Sequence, residues 1–254
     1  MKLELDSIQR TLTVVKDGTS VAIPLYSREA FELLSAEWLR VGWAEKYSYT
    51  FTWMGRPVIQ LPEDLLRFQE VVYQIRPDVI IETGIAHGGS LLYYASLCHL
   101  IGHGRVIGID IEIQPHNRHA IESHQLASLV TLVEGSSIDP AIVGGVKARV
   151  KPSETAMVLL DSNHSRRHVL EELRAYHSLV SPGSYLVVAD GIMRDLTDVP
   201  GGSATWESDG PLSAVAEFLS EHPEFIRERP AWRFNESALG ENVTYWPQGW
   251  LRRQ

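Results

Sequence analysis

The sequence is short of cysteine, of positive charge and of long apolar runs, and each shortage removes a class of function. Its single cysteine, Cys98, cannot form an intrachain disulfide, which fits a reducing compartment rather than secretion. Lys and Arg number 23 against 32 Asp and Glu, a net charge of −9. A broad electropositive face for a phosphate backbone is therefore not expected, and nucleic acid is a poor partner. No apolar run approaches the ~20 residues that span a bilayer. The start, Met1-Lys-Leu-Glu-Leu-Asp6, alternates polar and apolar residues and lacks a signal peptide's continuous apolar stretch. The expected location is the cytoplasm. Internal repeats, low-complexity tracts and long linkers are absent too. What is present is 254 residues, 44% of them hydrophobic, enough to bury a core in one domain with modest additions.

Residues 1–25 alternate apolar and polar on both sides of Lys16-Asp17-Gly18-Thr19, and Asp-Gly takes the positive φ angles of a tight turn, so a β-hairpin is predicted. Ser27 caps a helix to about Lys46, with Phe31, Leu34, Trp38 and Val41 on one face. A second helix opens at Pro62-Glu63-Asp64 and ends before Pro77. From Asp78 the pattern becomes alternating strands and helices. Strands are predicted at 79–82, 105–110, 130–134, 156–161 and 184–190, and helices at 90–100, 115–125, 168–179 and 211–222. Two late strands, near 225–233 and 242–247, complete the sheet. Such alternation means a parallel sheet with helices on both faces, a Rossmann-like α/β fold. Residues 1–60 read as a hairpin-and-helix appendage to a core of 61–254, and 191–210 as a lid.

Four motifs carry chemistry. Glu82-Thr-Gly84-Ile-Ala-His-Gly88-Gly89-Ser90 follows the first core strand; its glycines permit a sharp turn against a ligand, or merely a tight turn capped by Ser90. Its spacing departs from the Gly-x-Gly-x-x-Gly of dinucleotide sites. Asp110 ends the next strand, where an acid can bind both hydroxyls of a ribose, with Glu112 as its neighbour. Gly135-Ser136-Ser137-Ile138-Asp139 lies where a base edge would sit, or caps the following helix. Asp161 and Asp190 end adjacent parallel strands, so their carboxylates share one sheet edge and suit a hard cation such as Mg²⁺. His164, beside them, suits a proton acceptor near neutral pH. His168 reads as a packing or helix-surface residue.

These motifs together resemble catechol O-methyltransferase, and more closely the cephalosporin hydroxylase family, whose members include rhamnosyl and other sugar O-methyltransferases. The resemblance rests on Trp53-Met-Gly-Arg-Pro-Val-Ile-Gln60, Pro62-x-Asp64, Ile80-Ile-Glu-Thr-Gly84 and Gly88-Gly-Ser90. It rests further on Ile107-Gly-Ile-Asp110-Ile-Glu-Ile-x-Pro115-His116-Asn117-Arg118 and Asp161-Ser162-x-His164. It spans about residues 50–250. It implies a class I methyltransferase sheet, mostly parallel with its last strand antiparallel. It also implies that Glu82, Gly84, Gly88, Ser90, Asp110, Ser137 and Asp161 bind S-adenosylmethionine, that Asp161 and Asp190 hold Mg²⁺, and that His164 is the base. One departure stands out: relatives place another acid or amide beside the residue matching Asp190, where this chain has Ala189 and Gly191. That departure leaves three outcomes open: weaker metal binding, a shell completed by water or a lid residue such as Asp195, or loss of the metal.

The expected activity is O-methyl transfer to a sugar hydroxyl of a glycosylated metabolite or glycolipid, with Asp161 and His164 at the reacting atoms. Trp53 and Trp206 either stack on the sugar or belong to the core. A homo-oligomer is compatible with the chain. Two alternatives are weighed. A nicotinamide-dependent oxidoreductase is disfavoured because none of the five lysines completes a Tyr-x-x-x-Lys pair; a non-catalytic cofactor-binding relative is favoured only by the missing third metal ligand.

Overall fold

A computed structural model describes residues 1–254. The N-terminal strands β1 (Lys2–Asp6), β2 (Thr11–Lys16) and β3 (Thr19–Pro24) form an antiparallel sheet in that order. The β2–β3 turn has Asp17 and Gly18 both at positive φ (49° and 78°), the pairing that matches strand twist in a two-residue hairpin. The sequence pattern accounts for this hairpin but not for β1. A second turn adds that strand, closed by the Asp6 carboxylate, which accepts the N–H groups of Ile8 and Gln9 at 2.9 and 2.8 Å.

Helix α1 (Arg28–Ala44) starts where expected, with the Ser27 hydroxyl accepting the Ala30 N–H at 3.2 Å. Its predicted apolar face is a different matter. Phe31, Trp38 and Val41 are 42%, 40% and 60% exposed. The helix packs instead through Ala30, Leu33 and Leu34 on the small sheet and through Leu39 and Trp43 on the main body. Of the predicted face, only Leu34 packs; the other three large residues point outward. A 3₁₀ turn (Tyr47–Thr50), a hairpin of β4 (Phe51–Trp53) and β5 (Arg56–Val58), and α2 (Pro62–Ile75) follow.

The main sheet contains β6 (Val79–Thr83), β7 (Arg105–Asp110), β8 (Val130–Glu134), β9 (Ala156–Leu160), β10 (Tyr185–Val188), β11 (Phe225–Arg227) and β12 (Trp250–Arg253), ordered β11-β12-β10-β9-β6-β7-β8. Only β12 runs antiparallel to its neighbours, β10 and β11. Helices α3 (Gly89–Ile101), α4 (Pro115–Glu122), α5 (Pro140–Lys147), α6 (Arg166–Tyr176) and α7 (Pro211–Glu221) connect the strands. Along β6, Ile80 faces one core cluster while Val79 and Ile81 face the other. Both faces are covered, which is why these strands read as unbroken apolar runs. Strand order reverses between β6 and β9, opening a crevice at their carboxyl ends.

The last strand lies at Trp250–Arg253, not at 242–247. The latter residues form a buried loop pinned by Asp64, at the start of α2. The Asp64 carboxylate accepts the Tyr245 N–H at 2.9 Å and the Thr244 hydroxyl. The Tyr245 backbone is bonded on both sides, its N–H to Asp64 and its carbonyl to the Ile192 N–H, and the strand beside β10 is Trp250–Arg253.

Asp64 is 2% exposed, and burial pushes its carboxyl up from 3.8 to about 7 against the opposing pull of Thr244 and Tyr245. The folded chain then binds more protons at this site than the unfolded chain between those values, so its contribution falls as pH rises through that window. Melting curves of wild type and Asp64→Asn should separate as pH rises from 5 to 7, with wild type losing several degrees relative to the variant, of the order expected for about 1–2 kcal/mol. A constant difference across that range would mean that Asp64 stays ionised.

Candidate active site

The site is built on the turn between β6 and α3. Gly84 sits at φ 85°, and a Cβ there would lie 2.0 Å from the Asp161 carbonyl oxygen. The turn thus rests backbone to backbone on the end of β9. A Cβ on Gly89 would lie 2.1 Å from the Pro57 carbonyl, so the β4–β5 hairpin presses on the other side. Ala86 takes a left-handed φ of 47°, a conformation a non-glycine residue holds only when its surroundings enforce it. Those surroundings are specific. Asp110 accepts the N–H groups of Ile85 and Ala86 at 2.8 and 3.2 Å. Arg56 donates to the His87 carbonyl and to the Asn117 amide oxygen, and Asn117 donates to the Ala86 carbonyl.

Two cavities meet at this turn, and a third adjoins one of them. The outer one, about 380 Å³, is lined by Gly84, Asp110, Ser136, Ser137, Ser162 and His168 among others. An inner one of about 170 Å³ includes Gly84, Gln60, Ser90, Asp161, His164 and Asp190. A third, about 250 Å³, is walled by Trp43, Lys46, Tyr49, Ile59, Asp190 and Tyr245. Gly84 joins the first two; Tyr49, Ile59 and Asp190 join the second and third. Two larger hollows, of about 650 and 440 Å³, lie beside α2 and the 227–250 segment and contain none of the strand-end acids.

Asp161 follows β9 and Asp190 follows β10, the latter at a left-handed φ of 54°. The ligand atoms of Asp161, His164 and Asp190 all lie within 4.8 Å of one another. His164 Nε2 is 3.3 Å from Asp190 Oδ2, and the Gln60 amide donates to Asp161 Oδ2 at 3.3 Å. Burial, then the charge of Asp190, holds the Asp161 carboxyl well above its ordinary range; burial raises that of Asp190, opposed by His164. No lysine or arginine lines the inner cavity. Two crowded carboxylates with no lysine or arginine between them, and only His164 beside Asp190, are the donor set of a hard divalent cation, and Mg²⁺ fits it. A Cβ on Gly191 would lie 2.5 Å from the Pro247 carbonyl, which explains why no third acid follows Asp190. Asp195 does not take that role: it is exposed and paired with Arg194. The third group that converges is His164.

The other predicted residues divide. Ser90 lines the inner cavity; Asp110 and Ser137 line the outer one. Glu82 is fully buried behind the turn, where its carboxylate accepts the Ser90 hydroxyl at 2.8 Å and burial pushes it up to about 8. Gly88 caps α3, with Ile121 where its side chain would be. Trp53 is held in packing, its indole N–H donating to Ser96 and its ring edge-on to Tyr93. Trp206 packs edge-on to Trp43. His168 packs at the start of α6 and also lines the outer cavity, with Nε2 3.1 Å from the Ser137 hydroxyl. Gln60, Tyr49 and Glu172 were passed over. Glu172 had a signal, a charged residue in the apolar helical stripe Val169, Leu173, Tyr176.

Comparison with known proteins places this arrangement. Residues 45–254 match the family model described as rhamnosyl O-methyltransferase/CmcI. A rhamnosyl O-methyltransferase of Mycobacterium bovis (strain BCG / Pasteur 1173P2) is 30% identical over 211 residues, covering 80% of this chain and 78% of that one. Its namesake in Mycobacterium leprae (strain TN) is 29% identical over 177 residues, covering 68% and 72%. A solved CmcI structure, described as carrying Mg and SAM, shares the fold with a TM-score of 0.54 at 18% identity, covering 81% of this chain and 77% of that one. The seven-stranded sheet, the turn on Gly84 and the match over residues 45–254 agree: the chain belongs to the rhamnosyl O-methyltransferase/CmcI family and is an S-adenosylmethionine-dependent O-methyltransferase.

Proposed function

We propose that the protein methylates a hydroxyl of a sugar carried on a small glycosylated acceptor, with Asp161 and Asp190 holding Mg²⁺ and His164 taking the proton. The observation that carries this reading is the position of Asp190. It is shared by the inner and third cavities and touches His164. The relatives named rhamnosyl O-methyltransferases support a sugar acceptor, and the CmcI structure described with Mg and SAM supports the pair of cofactors. A nicotinamide reading would leave the paired aspartates without a task.

Adenosine fits the outer cavity, where Asp110 Oδ2 is filled by the Ile85 and Ala86 N–H groups and Oδ1, with one backbone contact from Glu112, keeps a lone pair for a ribose hydroxyl. The methionine portion passes over Gly84, where no side chain intervenes, into the inner cavity. The acceptor fits the third cavity, where the 59% exposed Tyr49 ring offers a face to sugar C–H groups. In the transfer a C–O bond forms as the methyl C–S bond breaks, and the electron pair stays on sulfur. The acceptor oxygen is left with a surplus proton. With His164 Nε2 turned to Asp190, Nδ1 is the nitrogen that takes it, and Asp190 stabilises the imidazolium. Bound Mg²⁺ supplies positive charge that lowers a hydroxyl's pKa and orients it. Mg²⁺ prefers oxygen ligands, which leaves the imidazole free for proton work.

Replacing His164 with Ala should lower kcat on a rhamnoside acceptor by roughly 10²–10⁴ with S-adenosylmethionine affinity nearly unchanged; near-normal turnover would remove His164 from the chemistry. Chelator should depress transfer of labelled methyl, and Asp190→Asn should raise the Mg²⁺ concentration needed to restore it. Full activity in chelator would mean a metal-free site. In calorimetry, Asp110→Ala should cost about 1.5–3 kcal/mol of cofactor binding, and an unchanged affinity would place the ribose elsewhere.

A further inference from the structure

The edge of the main sheet opposite Asp161 and Asp190 brings together three further ligating side chains. Helix α6 runs from the end of β9 back to the start of its parallel neighbour β10, so the residue that follows α6, His177, lies at the amino edge. His222 caps the end of α7, and Glu224 stands just ahead of β11. A ligand atom from each of the three lies within 4.8 Å of those of the other two. The two imidazole rings are 4.2 Å apart between centroids, and His222 Nδ1 is 2.9 Å from Glu224 Oε1.

Packing explains part of this. His222 stacks on Phe218 at 4.5 Å, and His177 packs against Phe218 and Phe225. The polar arrangement is a separate matter. His177 Nδ1 is 2.9 Å from the Arg174 carbonyl. A carbonyl only accepts, so Nδ1 carries the hydrogen and Nε2 of the neutral ring presents a bare lone pair. A bond of that kind to a backbone carbonyl is how metal-binding histidines are commonly oriented. The nearby carboxylates also differ from each other. Glu221 is taken by Arg174, whereas Glu224 pairs with His222 and with no lysine or arginine. Donor atoms on one Zn²⁺, at bonds of roughly 2.0–2.2 Å, lie roughly 3–3.5 Å apart. His222 and Glu224 already stand near that spacing, and the remaining gap to His177 closes by side-chain adjustment.

We propose that His177, His222 and Glu224 form a second metal site, which takes a divalent ion of the Zn²⁺ class with water completing its shell. Two imidazoles and one carboxylate suit such an ion, unlike the paired carboxylates of the inner cavity, which suit Mg²⁺. The ion takes the place of the hydrogen between His222 Nδ1 and Glu224, and that hydrogen moves to His222 Nε2. It ties the ends of α6 and α7 to the edge strand β11, on the far side of the sheet from the transfer chemistry, and stabilises the fold by mass action.

Zinc titration tests this, with the active-site acids removed so that they cannot compete. In an Asp161→Asn/Asp190→Asn background, which relieves charge crowding, calorimetry should still detect one bound Zn²⁺ that Mg²⁺ does not displace. Zn²⁺ at a hundred times its Kd should raise the melting temperature by roughly 5–10 degrees. Adding His177→Ala or His222→Ala should weaken Zn²⁺ binding roughly tenfold or more, since loss of even an orienting partner costs that much, and should remove the rise. Glu224→Gln should act in the same direction, and because it leaves the packing on Phe218 in place it decides the matter where a histidine variant fails to fold. Loss of all Zn²⁺ binding in the background protein would overturn the proposal. So would binding that is unchanged by the substitutions at 177, 222 and 224.

Discussion

The contact on which the site depends is the one between Gly84 and the end of β9. There is no room for a Cβ at Gly84, because the Asp161 carbonyl lies within 2.0 Å of where it would be. That intimacy lets the β6 turn and the β9 terminus share one floor. The same approach fixes the direction in which Asp161 leaves its strand and makes a single path of the outer and inner cavities. Neighbours on both sides reinforce it: Asp110 holds the turn's N–H groups, while Arg56 and Asn117 hold its carbonyls. Polar satisfaction of this turn therefore comes from three different parts of the chain, and its strained Ala86 is tolerated because each of them is in place.

Much of this was legible in the residues. The strands β6 to β10 are buried on both faces, so their apolar runs are long, uniform and bounded by turns, and their ends fell where the acids stand. Asp110, Asp161, His164 and Asp190 stand at the carboxyl edge where the pattern placed them, because a strand end is a fixed address in a parallel sheet. What escaped was set by distant partners. Residues 242–247 look like a strand and are held as a loop by Asp64, 181 residues away from Tyr245. The outward residues Phe31, Trp38 and Val41 of α1 have the period of a buried face, while the side that packs carries Ala30, Leu33, Leu34, Leu39 and Trp43. His168 looked ordinary because Ser137, 31 residues earlier, is brought against it by the sheet. Local pattern predicts elements; it does not say which far segment will compete for a hydrogen bond.

The N-terminal segment is also more than an attachment. The end of α1 and the following turn bring Trp43, Lys46 and Tyr49 to the third cavity, and the β4–β5 hairpin seats on Gly89. Arg40 donates to the Asp195 carbonyl and, at 2.7 Å, to Asp198, which binds the 191–210 segment to the same helix. The wall of the third cavity is thus assembled from both ends of the chain around a sheet edge that the middle supplies.

The small sheet β1–β3 tells a different story about how evenly the molecule holds together. Its core consists of three buried residues, Leu12, Ile23 and Ala30, against 29 and 20 in the two clusters that cover the main sheet. Opening free energy follows the apolar contact that must be broken. Amide hydrogens of the first 25 residues therefore exchange through a local, low-energy opening, while those of β6 and β9 wait for global unfolding. The main sheet and its two clusters thus form the heavier body, the β1–β3 sheet a lighter unit expected to open first, with α1 as the seam between them.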